Sequence, residues 1–60
     1  MQYTISNEEG EFYAGFQDGE PVWSKTPGSQ TLFDEWIADA ILKQMTQLGF
    51  TRLKKKIYEK

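Results

Sequence analysis

Apolar and polar residues alternate in two segments near the start of the chain, residues 3–5 and residues 12–16. This period of two is typical of half-buried strands. A polar loop ending in Gly10 separates the segments, and a glycine there supplies the positive φ that a tight connection needs. The pattern therefore predicts a β-hairpin at the start of the chain.

The length of this loop decides which side chains face the core. A four-residue loop pairs Ser6 with Glu11 and Ile5 with Phe12. A three-residue loop would instead place Ile5 beside Tyr13 on the opposite face. We favour the four-residue loop. It predicts the following core-facing set on the two strands: Tyr3, Ile5, Phe12, Ala14 and Phe16.

Asp18-Gly19 predicts a second hairpin, because a two-residue type I′ turn needs positive φ at both positions. The turn pairs Ala14 with Trp23 and so directs the indole into the core. Pro21 has no N–H to donate to a ladder, which makes the strand over residues 21–25 an edge strand. The first three strands thus form an antiparallel meander.

A long amphipathic helix follows. Thr31, with a carboxylate three residues later, resembles a capping box, and Gly49 is a suitable residue to end the helix. Gln44 projects near the middle of the apolar stripe and needs a polar partner. The stripe also predicts that Trp36 joins Trp23 in one core. Its members recur at the three and four spacing of a helix face: Phe33, Trp36, Ile37, Ala40, Ile41, Met45 and Leu48.

Residues 50–58 fit either a strand or a short helix, since Leu53 and Ile57 share a face in both. We favour a strand that lies beside the first strand and runs parallel to it after a right-handed crossover. The prediction for residues 1–60 is a single α+β domain with three antiparallel strands, one helix and a C-terminal strand, in sheet order 3-2-1-4.

Composition excludes several classes of function. The 60 residues include no Cys and no His, so neither a disulfide framework nor a zinc site with nitrogen and sulfur ligands is expected. Aromatic residues make up 15% of the chain, which favours a folded domain over disorder. Neither a membrane span nor a signal peptide is evident, and we expect a cytoplasmic protein.

Charge is distributed unevenly along the chain. Residues 1–39 hold eight carboxylates against one lysine, and residues 40–60 hold six basic residues against one glutamate. The basic residues of the last strand would line the sheet face that the helix leaves open. We predict that this face binds a partner through Tyr13, Val22, Arg52, Lys54, Lys56 and Tyr58. Solvated surface, or lysines that protect an edge strand, is the alternative interpretation.

No catalytic constellation is evident. The serines have no histidine to activate them. Glu8 and Glu9 occupy a turn, where water is expected to solvate their carboxylates. The acidic turn lacks the spacing of a calcium loop, and the glycines form no phosphate-binding motif. We therefore expect no enzyme activity, no metal and no cofactor.

Several short segments form a combined pattern: Gly10-Glu11-Phe12-Tyr13-Ala14-Gly15-Phe16, Asp18-Gly19, Val22-Trp23-Ser24, Ala38 and Ala40 of the helix, and Leu48-Gly49-Phe50. This pattern resembles small uncharacterised proteins of phages, prophages and their Gram-positive hosts. The resemblance implies a bacterial or viral setting, and it implies no active-site residue.

The leading hypothesis is a small non-catalytic protein-binding module, a phage or prophage accessory protein that acts on a host protein. Nucleic-acid binding through the basic sheet face is the alternative, and a subunit that completes an oligomer is a third hypothesis. The expected partner is a host protein or a second copy of the chain in a homodimer. No membrane partner is expected.

Overall fold

The computed structural model of the chain describes residues 1–59 and has the α+β architecture that the sequence predicts. Its antiparallel sheet follows the path β3-β2-β1-β4, and the C-terminal strand β5 also pairs with β1. A short 3-10 helix, Ser29–Thr31, precedes β4. The remaining elements are β1 (Gln2–Ser6), β2 (Phe12–Gln17), β3 (Glu20–Ser24), β4 (Phe33–Asp34), α1 (Glu35–Gln47) and β5 (Lys54–Tyr58).

Strand β1 is the centre of the sheet. One of its edges pairs with β5 over its whole length, from Gln2 to Ser6. The other edge is shared, because β2 meets β1 at Ser6 and β4 meets it at Gln2 and Tyr3. The predicted order, with the last strand beside the first, is confirmed.

The predicted direction of the last strand was wrong. β5 runs antiparallel to β1, not parallel. The reason is the short strand β4, which the sequence pattern did not reveal and which also runs antiparallel to β1. A crossover helix joins parallel strands, and here it joins β4 to β5 with β1 between them.

The first hairpin has a five-residue loop, residues 7–11, because Ser6 pairs with Phe12. The predicted pairing of Ile5 with Phe12 was therefore wrong. The side chain of Asn7 fixes the longer loop: its Oδ1 accepts N–H bonds from Glu9 at 3.0 Å and Glu11 at 2.9 Å. This side chain imitates a backbone acceptor, which a count of loop residues cannot reveal.

The second hairpin turns at Asp18 and Gly19, with φ of 54° and 79°, as predicted. Farther along, Tyr13 pairs with Trp23, whereas Ala14 was the predicted partner. A β-bulge between Tyr13 and Phe16 causes this change, because it adds one residue to β2. The longer first loop already puts Tyr13 on the same face as Ile5, and the bulge brings Trp23 to that face as well.

Helix α1 begins at Glu35, after Asp34 at the N-cap. The predicted capping box at Thr31 was wrong, since this buried threonine serves the preceding turn. Its hydroxyl accepts the N–H of Gly28 at 2.8 Å and donates to the carbonyl of Gly28 at 2.9 Å. At the other end, Gly49 has a φ of +100°. The N–H of Phe50 donates there to the carbonyl of Met45, as in a Schellman motif, so the predicted helix end is confirmed.

The core lies between the sheet and the helix. Trp23 packs edge-on against Tyr13 at 6.0 Å between ring centroids, and its predicted place in the core is confirmed. Trp36 is 72% exposed, so its predicted burial was wrong. The buried members are Ile5, Tyr13, Ala38 and Met45, and around them pack Tyr3, Trp23, Phe33, Ile41, Leu42 and Leu53.

The helix faces the sheet with a different stripe from the predicted one. Ala38 and Met45, seven residues apart, are its buried positions. Trp36 lies two residues before Ala38, about 200° around the helix, and so points outward. Gln44 is exposed and needs no partner inside the protein. The predicted stripe began at Phe33, but Phe33 belongs to a strand and does not indicate the helix face.

Candidate functional site

Strand β5 carries three of the predicted binding residues on one face. Lys54, Lys56 and Tyr58 alternate with Lys55, whose ammonium group contacts α1. They therefore lie on the sheet face that is directed away from the helix, as predicted. Lys54 and Lys56 are exposed and Tyr58 is half-buried.

The other predicted residues do not join this group. Tyr13 is 7% exposed and belongs to the core, so its predicted place on the open face was wrong. The five-residue first loop is the cause, because its register places Tyr13 on the face of Ile5. Val22 is exposed on β3, but β2 and β1 lie between β3 and β5 in the sheet. Val22 is therefore separated from the basic residues of β5 by two strands.

Arg52 lies outside the strand to which it was assigned, because β5 begins at Lys54. Its Nη1 lies 3.3 Å from Oε2 of Glu8. Both side chains are well exposed, at 78% and 59%. This ion pair connects the loop between β1 and β2 to the loop that precedes β5.

These two loops, residues 7–11 and residues 49–53, border an open cleft of about 580 Å³ at one end of the sheet. We call it the end cleft. Its size lies within the range of about 300 to 1,000 Å³ that is usual for ligand sites. Its lining combines three apolar side chains with three carboxylates and one guanidinium group: Trp23, Phe50, Leu53, Glu8, Glu9, Glu11 and Arg52.

Both walls of the end cleft are held by hydrogen bonds within the protein. In one wall, the amide group of Asn7 donates to Oε1 of Glu11 at 3.2 Å and the backbone N–H of Asn7 donates to the carbonyl of Glu11 at 3.0 Å. In the other wall, the N–H of Phe50 donates to the carbonyl of Met45 at 2.9 Å. The cleft is therefore formed in the free protein.

The charge at the end cleft is predominantly negative. Arg52 pairs with Glu8, whereas Glu9 and Glu11 form no ion pair within residues 1–59. Two lysines stand outside the cleft: Lys25 lines a depression beside Glu9 and Glu11, and Lys54 lines another beside Arg52. A cationic group is therefore favoured inside the cleft.

The sequence pattern does not predict the end cleft. It places Trp23 in the core alone and Phe50 in the last strand. The cleft depends on two loops that are about forty residues apart in the chain, and no local pattern indicates that they meet. The available signal was Gly49-Phe50, because an aromatic residue after a C-terminal glycine often packs back on the helix end.

Within residues 1–59, no three carboxylates come close enough to hold a metal ion. In the same part of the chain, no helix has the length and apolar character needed to cross a membrane. A search of protein families, curated proteins and solved structures finds no match to the chain.

Proposed function

We propose that this chain is a small non-catalytic protein-binding module and that the end cleft is its binding surface. One observation carries the proposal: apolar side chains remain accessible between two loops that are already ordered. Phe50 is 39% exposed in the cleft. Aromatic residues are among the types enriched in the centres of protein interfaces.

A protein partner fits this surface better than other ligands. The carboxylates of Glu8, Glu9 and Glu11 would repel the phosphates of a nucleic acid. Trp23 is partly buried in the cleft whereas Glu8 and Glu9 are exposed, which resembles the apolar centre and polar rim of a protein interface. From the resemblance to phage and prophage proteins, we propose that the partner is a host protein in the bacterial cytoplasm.

A second candidate is nucleic-acid binding through β5. Lys54 and Lys56 are both exposed on one face, and neither pairs with a carboxylate within residues 1–59. However, among residues 1–59 β5 pairs with β1 alone, which makes it an edge strand. Lysines in that position also prevent unwanted pairing between sheets. Two phosphate contacts would give only a shallow dependence of affinity on salt.

The test compares two variants in a binding assay with a purified partner. The partner is first captured from a host extract and identified, and its affinity is then measured by calorimetry. Phe50→Ala should weaken binding about tenfold or more, as truncation of a central aromatic residue does. Lys54→Gln with Lys56→Gln is the matched control and should leave the affinity unchanged.

Thermal melting of each variant first shows that it is folded. Undiminished affinity of the Phe50→Ala variant would contradict the proposal. If the captured partner is a nucleic acid and only the lysine variant loses affinity for it, the second candidate is supported. Sedimentation over a range of concentrations shows whether the partner is a second copy of the chain.

A further inference from the structure

We infer that the end cleft binds an extended, cationic segment of its partner. In the free protein, Arg52 occupies the position that a cation of that segment takes in the complex. This inference rests on the proposed function. It commits to one kind of occupant, a stretch of chain in which lysine or arginine alternates with apolar residues.

The charges of the cleft argue for this occupant. Glu9 and Glu11 contribute carboxylates that no cation within residues 1–59 neutralises by an ion pair. Glu8 on the same loop already holds a guanidinium group at 3.3 Å, which shows that a cation fits there. A partner with positive charge would therefore gain favourable interactions along the whole loop.

The apolar lining argues for side chains that alternate. Trp23, Phe50 and Leu53 lie in the same cleft as the carboxylates. An extended segment directs successive side chains to opposite sides, so that apolar groups can contact this lining while basic groups reach the rim. The aromatic rings can also receive a guanidinium or ammonium group on their faces.

In this arrangement Arg52 competes with a cation of the partner for the carboxylate of Glu8. Its guanidinium group reaches across the end cleft to the loop of residues 7–11, and its one ion-pair partner within residues 1–59 is Glu8. Because the pair is exposed, breaking it costs little. A cation of the partner can displace Arg52, and removal of Arg52 should therefore favour binding.

The test uses a synthetic probe, an acetylated and amidated peptide of alternating leucine and lysine. The matched control peptide has glutamate in place of lysine. Trp36→Phe serves as the background, since Trp36 is exposed and its replacement leaves Trp23 as the single fluorescent tryptophan in the cleft. Titration of Trp23 emission then gives the affinity at low and at physiological salt.

The lysine peptide should bind, more weakly at higher salt, and the glutamate peptide should not. Arg52→Gln should tighten binding about twofold to fivefold, and Glu9→Gln should weaken it by a similar factor, the range that an exposed ion pair supports. Equal binding of both peptides, or weaker binding after Arg52→Gln, would overturn the inference.

The outcomes separate this inference from the proposed function. If Phe50→Ala weakens binding of the captured partner while the lysine peptide fails to bind, the cleft is a protein-binding site for a different occupant and the inference is wrong. If Phe50→Ala leaves the partner's affinity intact, the proposed function itself is wrong. Binding of the lysine peptide with tightening by Arg52→Gln supports both.

Discussion

The ammonium nitrogen of Lys55 lies 2.6 Å from the carboxylate Oδ1 of Asp39. It lies also 3.7 Å from a carboxylate oxygen of Glu35 and 5.2 Å from the centre of the Tyr3 ring. This contact connects the last strand to the helix and to the central strand. It also explains why the middle one of three consecutive lysines is only 26% exposed in its side chain.

We expect Asp39→Asn to lower the melting temperature, because the substitution removes the closest negative charge from Lys55. The difference from wild type should shrink at high salt, since salt screens a partly exposed ion pair. Lys56→Gln is the matched control, as its side chain is exposed on the other face of the same strand. Equal melting temperatures of both variants would show that the contact contributes nothing to stability.

Stability should fall at alkaline pH through two groups. The hydrogen bond from Lys55 to Asp39 raises the pKa of Lys55, and burial raises the pKa of Tyr13. Both pKa values are thus higher in the folded protein than the 10.5 and 10.0 of the free groups. As the pH rises, the unfolded chain loses these protons before the folded protein does. The contribution of each group to stability is therefore complete below its unfolded pKa and is lost as the pH rises through its folded pKa.

Urea unfolding at a series of pH values from neutral to above 10.5 measures this effect. The free energy of unfolding should decline once the pH passes about 10. Asp39→Asn should remove the part of this decline that is due to Lys55. Tyr13→Phe should remove the part that is due to the phenol. A flat profile in the wild-type protein would contradict the assignment.

Substitution of Met45 tests which face of α1 packs against the sheet. It is 1% exposed, whereas Leu48, three residues later, is 54% exposed. Met45→Ala should therefore cost about 2 to 5 kcal/mol, the range for truncation of a buried side chain. Leu48→Ala should change the free energy of unfolding by only about 0.5 kcal/mol. Chemical denaturation of both variants checks the difference, and the reverse order would mean that the helix is rotated.

Substitution of Gly15 tests the bulge that pairs Tyr13 with Trp23. Its φ is +123°, which L residues rarely adopt, although no neighbouring atom would obstruct an added Cβ. Gly15→Ala should cost about 1 to 3 kcal/mol through backbone strain alone. Ala14→Ser, at the adjacent position, is the control and should cost less. Unchanged stability of the Gly15→Ala variant would show that the bulge is not needed.

The turns and the helix end could be predicted from the sequence because each depends on a few adjacent residues. Gly10, Asp18-Gly19 and Gly49 all have the positive φ that their residue types indicated. The edge position of β3 also followed from one residue, Pro21. These signals are local, and tertiary packing did not alter them.

The register of β2 could not be predicted in the same way. Tyr13 and Phe16 are both aromatic, so either parity gave an apolar face. The choice depends on the five-residue loop that Asn7 holds and on the bulge between Tyr13 and Phe16. Strand β4 has two residues, too few for any periodic pattern. The direction of β5 and the location of the end cleft depend on these two features, and they were missed for that reason.

The two tryptophans should respond differently to truncation. Trp36→Ala should change stability by only about 0.5 kcal/mol, because the side chain is 72% exposed. Trp23→Ala should cost more, though less than the roughly 3 to 5 kcal/mol of a fully buried aromatic residue, since Trp23 also lines the end cleft. Quenching by acrylamide gives an independent measure. In the folded protein the emission of Trp36 should be quenched more strongly than that of Trp23, and equal quenching in the two single-tryptophan variants would contradict the orientation of α1.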